Sequence, residues 1–353
     1  MGDSPDALAP APDYTATARR HAWADLPDAV RRRLAAFAGG RVDRVRLAGG
    51  GFTHGFAGLV DGPHTVFAKA IPVDDEHVYP GYAREARVLS ALPPGLPIPR
   101  LLAVEEIPVA PPSADWILLV FEPVEGAMPG RPWTIADARA IHDSCLETNA
   151  SLRGDARIHR ELRPARLADE WTRDGPHLSL ARGWAAEPAT RPRFLPRWFA
   201  PHGSANGSPE AAGDLVRLAA RGPSALVGDT PLNNDLRADN VVIASSRVAG
   251  RPVGTAWICD WNWLSVGPAW ADWAALFPYL HDAGLPVGTM LGWELTRDAD
   301  PDDIDSWLAL LGLYMADAGG RPELATSPRL RAHGRFTARI TLEFLAARRG
   351  WVG

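Results

Sequence analysis

The sequence predicts an α+β fold in two parts, on three observations. Up to Phe121 the apolar residues recur mainly with a period of two around one strongly helical segment. Beyond it the spacing becomes that of amphipathic helices. One short hairpin, spanning residues 233–263, interrupts that helical half. With 353 residues the chain is long enough for two lobes, each with its own core.

Residues 1–22 begin MGDSPDALAPAPDY, with no basic stretch followed by an apolar one, and are expected to be a disordered lead-in rather than a secretory signal. Residues 23–37 carry apolar side chains at helical spacing and stop at Gly39 and Gly40. RVDRVRL then places Val42, Val45 and Leu47 on a half-buried strand. AGGGFTHG turns, FAGLV returns, DGPH turns again and TVFAKA completes an antiparallel meander. Residues 82–92, YAREARVLSAL, form a helix carrying Glu85, between Pro80-Gly81 and Pro93-Pro94. IPRLLAVEE and DWILLVFEP read as two further strands.

In the second half, Thr134 followed by Asp137 predicts a capped helix start. Residues 202–214 read as a polar loop, and the segments around 303–320 and 328–350 as closing amphipathic helices. NNDLRADNVVIA and TAWICDWNW are the two arms of the hairpin, which gathers Asp235, Asn240 and Asp260 near its mouths.

Composition narrows the function. The chain is 46% apolar and 22% charged with a formal net charge of −5, so no basic field exists to hold nucleic acid or an anionic membrane. Cys145 and Cys259 are far apart and lack metal-ligand spacing, which predicts a reducing, cytoplasmic setting and no structural zinc. No apolar run reaches membrane-spanning length. Nothing in the sequence sets the oligomeric state.

Among 37 Lys and Arg residues, Lys69 is the only lysine. In a chain that has otherwise turned to arginine, its retention points to a need for a compact ammonium that a planar guanidinium cannot meet. The need fits phosphoryl transfer, which is catalysed by positioning and by charge stabilisation around a polyphosphate. The turn at Gly49, Gly50 and Gly51 lets backbone approach phosphates, Lys69 supplies the cation and Glu85 orients it. Asp235 is placed to take the hydroxyl proton of an acceptor, and Asn240 and Asp260 offer hard oxygens to Mg2+.

These segments resemble a known family, the aminoglycoside phosphotransferase and choline kinase-like enzymes. NNDLRADN resembles their catalytic loop, ICDWNW their metal-binding segment, and GPAWADWAALF the next helix, with its buried Asp272. VFAK, YAREARVL and LLVFEPVEG are similar to the lysine strand, the glutamate helix and the hinge. The resemblance runs from about Val42 onward and is closest to actinobacterial members. It implies a bilobal protein-kinase-like fold, with a nucleotide-binding lobe at 23–121, a hinge at 122–126 and a helical lobe at 127–353. It also implies ATP or GTP under the glycine turn, with the base against the backbone of Glu122 to Val124. The partners implied are that nucleotide and a small-molecule hydroxyl acceptor. Asn233 stands where the family has His, which predicts a less rigid loop, and Asn234 replaces a Gly, which calls for a left-handed backbone.

Simpler readings attach to several residues. GGGFTHG alone is a tight turn, Asp235 and Asn240 alone are turn formers, and Glu85 alone is a solvated helix charge. Asp272 is read as a buried acceptor for loop backbone, and His54 and His142 as ordinary histidines. The acidic run at 298–305 is read as a helix start rather than a wall for a cationic substrate. The tryptophans of DWNWLSVGPAWADW are mainly core, with Trp261 or Trp263 placed to touch substrate. The rival to a kinase is a non-catalytic nucleotide-binding scaffold with a relaxed loop.

Overall fold

A computed structural model describes residues 9–173, 175–196 and 209–351. The first half is a five-stranded antiparallel sheet. Strands β1 (Arg44–Leu47), β2 (Phe56–Asp61) and β3 (Val66–Pro72) form the meander, and β4 (Leu101–Ile107) and β5 (Trp116–Phe121) complete it in the order β1-β2-β3-β5-β4. Strand alternation sorts side chains to two faces. Leu118 and Val120 join Phe56, Val60, Ala68 and Ala70 under helix α1 (Asp28–Phe37). Ile117, Leu119 and Phe121 join Ile71 under helix α2 (Tyr79–Ala91). Lys69, two residues from Ile71, is thereby on the α2 face.

Three local expectations are revised. The helix predicted from residue 23 is split into a 3-10 turn at Trp23–Asp25 and α1, with Pro27 as the N-cap. Helix α2 starts before Pro80, because proline is tolerated in a first turn, where its missing N–H has no partner to lose. Leu47 is exposed, while Val42 and Val45 pack on the sheet core.

Residues 9–22 are tied to the rest of the chain at several points. The Thr17 side chain is fully buried and bonds the carbonyls of Gly49 (2.9 Å) and Gly51, the Arg19 N–H reaches Thr326 O (2.9 Å), and Tyr14 shares a 2.8 Å hydrogen bond with His333. A tight glycine turn exposes carbonyls that need donors, and this segment supplies them. The lead-in expectation therefore fails for 9–22, while residues 1–8 lie outside the described residues.

The second half is mostly helical around one large apolar core. Helix α3 (Ile135–Leu152) is capped by Thr134, whose hydroxyl accepts the Asp137 N–H at 3.0 Å. The hairpin strands Val241–Ala244 and Ala256–Ile258 pair antiparallel, with Gly126–Ala127 as a third strand. Helix Pro209–Ala225 takes in the end of the stretch read as a loop; the rest of it, 202–208, lies outside the described residues. The chain closes with Pro301–Gly320 and Leu330–Arg349. In the acidic run Asp300 caps the first of these, Asp300 and Asp303 pair with Arg221, and Asp302 and Asp305 with Arg349. The run is thus a helix start tied to arginines.

Candidate active site

The lysine of β3 meets the glutamate of α2. Lys69 Nζ lies 2.8 Å from both carboxylate oxygens of Glu85 and also contacts Asp260. Burial would drive the ammonium to lose its proton, but Asp260 and Glu85 outweigh it and hold Lys69 charged. Burial likewise opposes the Asp260 carboxylate, and Lys69 prevails, keeping it ionised. Sheet and hairpin are thus joined at one buried cation.

Asp260 has φ +55° and ψ +63°, a left-handed conformation that costs a non-glycine residue energy. Asn233 holds it there. The fully buried Asn233 amide donates to the carbonyls of Cys259 (3.1 Å) and Asp260 (3.2 Å), and its oxygen accepts the Asp235 N–H (3.1 Å). The amide standing in for His uses both its ends. Asn234 has φ +60°, as its place in the motif requires, and its backbone N–H and that of Asn233 bond the two carboxylate oxygens of Asp272 at 2.9 and 2.7 Å. Burial lifts the Asp272 carboxyl to about 6 against those two bonds.

Asp235 is half-buried between Arg237 (2.5 Å) and the Asn240 amide N–H (2.9 Å). Burial raises its carboxyl from an ordinary 3.8 to about 7, with Arg237 pulling the other way. Asn240 Oδ1 is buried and has no hydrogen-bond partner. The Asn240 backbone carbonyl accepts the N–H of Cys259, the residue before Asp260, and a buried amide oxygen left unpaired there is the kind of donor a hard cation takes up. Among the described residues no group of three His, Cys, Asp or Glu side chains gathers for a metal, so any ion here would lean on Asn240, Asp260 and the oxygens of a bound phosphate.

The glycine turn sits on the loop 233–240. Gly51 N–H donates to Asp239 at 3.0 Å, and Arg20 bonds the carbonyls of Ala48, Gly50, Thr53 and Gly55. A Cβ on Gly49 would meet Thr15 O at 2.5 Å, and one on Gly50 would meet Asp239 Cβ at 2.9 Å. These glycines therefore admit close protein contacts. In the segment read as a hinge from the sequence, Glu122 N–H is already bonded to Arg100 O (2.9 Å), and the Val124 side chain packs with Ala244, Val248 and Trp257. Sequence reasoning missed Thr17, Arg20, Arg237 and Asp239; the D-x-R-x-D spacing of the loop was the one local sign of them. His54 pairs with Asp75 at 2.7 Å, and His142 is fully buried.

Beside Asp235 opens a cavity of about 670 Å³ walled by Trp171, Trp263, Trp307 and Tyr314. Trp261, Trp270 and Trp273 are core residues, whereas Trp263 is 48% exposed at this cavity.

No protein-family model and no curated protein sequence matches the chain. Solved structures do. Spectinomycin phosphotransferase APH(9)-Ia, in complex with ADP and spectinomycin, is 12% identical over 91% of this chain and 98% of that one, with a TM-score of 0.56. The GDP complex of wild-type aminoglycoside 2'-phosphotransferase-IIIa is 13% identical over 91% and 97%, with a TM-score of 0.53. The five-stranded antiparallel sheet followed by a mostly helical part is the kinase-like fold of these phosphotransferases. Among the described residues no helix is long and apolar enough to cross a membrane.

Proposed function

We propose that this chain is a small-molecule kinase that transfers the γ-phosphoryl group of ATP or GTP to a hydroxyl of an antibiotic-like or natural-product acceptor. The observation that carries the reading is the convergence of Lys69, Glu85 and Asp260 on one side of the loop and Asp235, raised to about 7, on the side that faces the cavity. Structures of this fold that hold ADP or GDP support it.

In this reading the polyphosphate lies by Lys69 and the turn Gly49–Gly51, with the base along Glu122 to Val124. Asn240 Oδ1 and the Asp260 carboxylate would hold Mg2+, which supplies charge neutralisation to the phosphates when bound. The acceptor hydroxyl oxygen bonds to the γ-phosphorus as the bond to the β–γ bridging oxygen breaks. Its proton passes to Asp235, whose affinity near neutrality suits a general base. Asp272 and Asn233 fix the loop that aims it. The full set of bonds to Asn233 favours a working loop over the scaffold reading.

Calorimetry with Mg-ATP and Mg-GTP, followed by a transfer screen over hydroxyl acceptors, tests the proposal. Nucleotide binding with transfer to an acceptor is the expected result. Binding without transfer across a broad screen would favour the scaffold.

A further inference from the structure

The cavity beside Asp235 has its own chemistry, and the role of its occupant as acceptor rests on the kinase reading. At about 670 Å³ it is large enough for a drug-sized molecule. Its wall is aromatic: the Trp171 ring lies 4.6 Å from that of Trp307 and 5.2 Å from that of Tyr314, both edge-on. Trp263 and Tyr314 remain 48% and 38% exposed, an unusual state for two large rings facing one cavity. Arg84 lies over the Trp263 ring at 5.3 Å.

Among the described residues every carboxylate lining this cavity has a partner, although Glu170 and Asp272 are held by neutral donors. Asp317 pairs with Arg321 at 2.6 Å, and Asp235 with Arg237 at 2.5 Å. Glu170 accepts from Asn234 Nδ2 at 3.0 Å and from Ser265, and both oxygens of Asp272 are held by backbone N–H groups. Arg173 adds a further positive charge to the same lining. A ligand bearing several ammonium groups would have to leave water and compete for carboxylates that, among the described residues, already have partners, with Arg173 opposing it, a poor exchange for buried charge.

We propose that the acceptor is a hydroxylated ring compound with an uncharged, largely apolar face, laid on Trp263 and Tyr314, and not a polycationic amino sugar. The aromatic wall supplies the burial energy and the edge contacts, and Asp235 receives the hydroxyl. Asn234 joins this wall to the loop, since its amide oxygen accepts the Trp171 indole N–H at 3.1 Å.

Calorimetry on the full chain with neutral hydroxylated fused-ring compounds, flavanones and sterols, against kanamycin as the polycationic probe, decides the matter. At least one neutral compound should bind in the micromolar range with little salt dependence. Trp263→Ala and Tyr314→Ala should each weaken it by roughly tenfold, the size of a lost aromatic contact, and Tyr314→Ala, remote from the Asp260 segment, should leave Mg-nucleotide affinity unchanged. Kanamycin binding more tightly than every neutral compound, no neutral compound binding, or ring variants without effect would each overturn the acceptor class alone. A chain that binds neutral rings but no Mg-nucleotide would overturn the kinase reading and the acceptor role with it.

Discussion

Lys69 and Glu85 form a bidentate contact, 2.8 Å from the ammonium to each carboxylate oxygen, with the two residues only 8% and 3% exposed. The site is matched to a point charge, because Asp260 reaches the same nitrogen from the hairpin. A guanidinium keeps the charge but is planar and longer, and the buried site has no room to turn it. Lys69→Arg should lower kcat/KM for the nucleotide by about a hundredfold or more, measured by phosphoryl transfer. Near-normal turnover would mean that the shape of the cation is irrelevant.

In the proposed mechanism the pH dependence is set by Asp235. A general base must be ionised, and this carboxyl is raised to about 7, so kcat/KM should rise with pH up to about 7 and then level. Stability runs the opposite way. The folded value lies above the unfolded one, so the contribution of the protonated carboxyl is complete below the unfolded value and is lost as pH rises through about 7. Asp272, at about 6, adds an effect of the same sign. Thermal unfolding of Asp235→Asn should therefore gain on the parent between acid and mildly alkaline pH; a constant difference would contradict the raised value.

Asn233 closes three hydrogen bonds inside the loop, and each would be left open by truncation. Asn233→Ala should cost about 2–4 kcal/mol in urea unfolding, because two part-buried carbonyls and one N–H lose their partner. It should also free Asp260 from its left-handed backbone, visible as reduced amide protection at 259–261 in hydrogen exchange. Unfolding within experimental error of the parent would show that the loop is braced elsewhere.

Gly49 is forced by contact with residue 15. An alanine there would push its Cβ to 2.5 Å from Thr15 O. Gly49→Ala should destabilise by about 1–3 kcal/mol and expose residues 9–21 to limited proteolysis. Unchanged cleavage would show that this segment does not clamp the turn.

The parts of the site readable in the sequence were those set by local periodicity. Alternation on β3 puts Lys69 with Ile71 on the face where α2 carries Glu85, and Thr134 announces its helix by its own side chain. The hairpin was likewise marked by two apolar runs around a turn. What escaped depends on residues far apart in the chain. Thr17 and Arg20 meet the glycine turn about thirty residues later, Tyr14 meets His333, and Gly51 meets Asp239. A polar segment such as 9–22 has no periodic signal because it is held by hydrogen bonds to another segment's backbone. The insertion of β5 between β3 and β4, and the exposure of Trp263 among core tryptophans, are likewise set by tertiary packing.

The sharpest measurement is phosphoryl transfer by Asp235→Ala beside the parent, with Mg-nucleotide affinity measured on both. A base in contact with the acceptor hydroxyl predicts a loss of transfer of a thousandfold or more, roughly the size of a lost catalytic base, with nucleotide affinity nearly unchanged. Turnover equal to that of the parent would contradict that role for Asp235 and the kinase mechanism built on it.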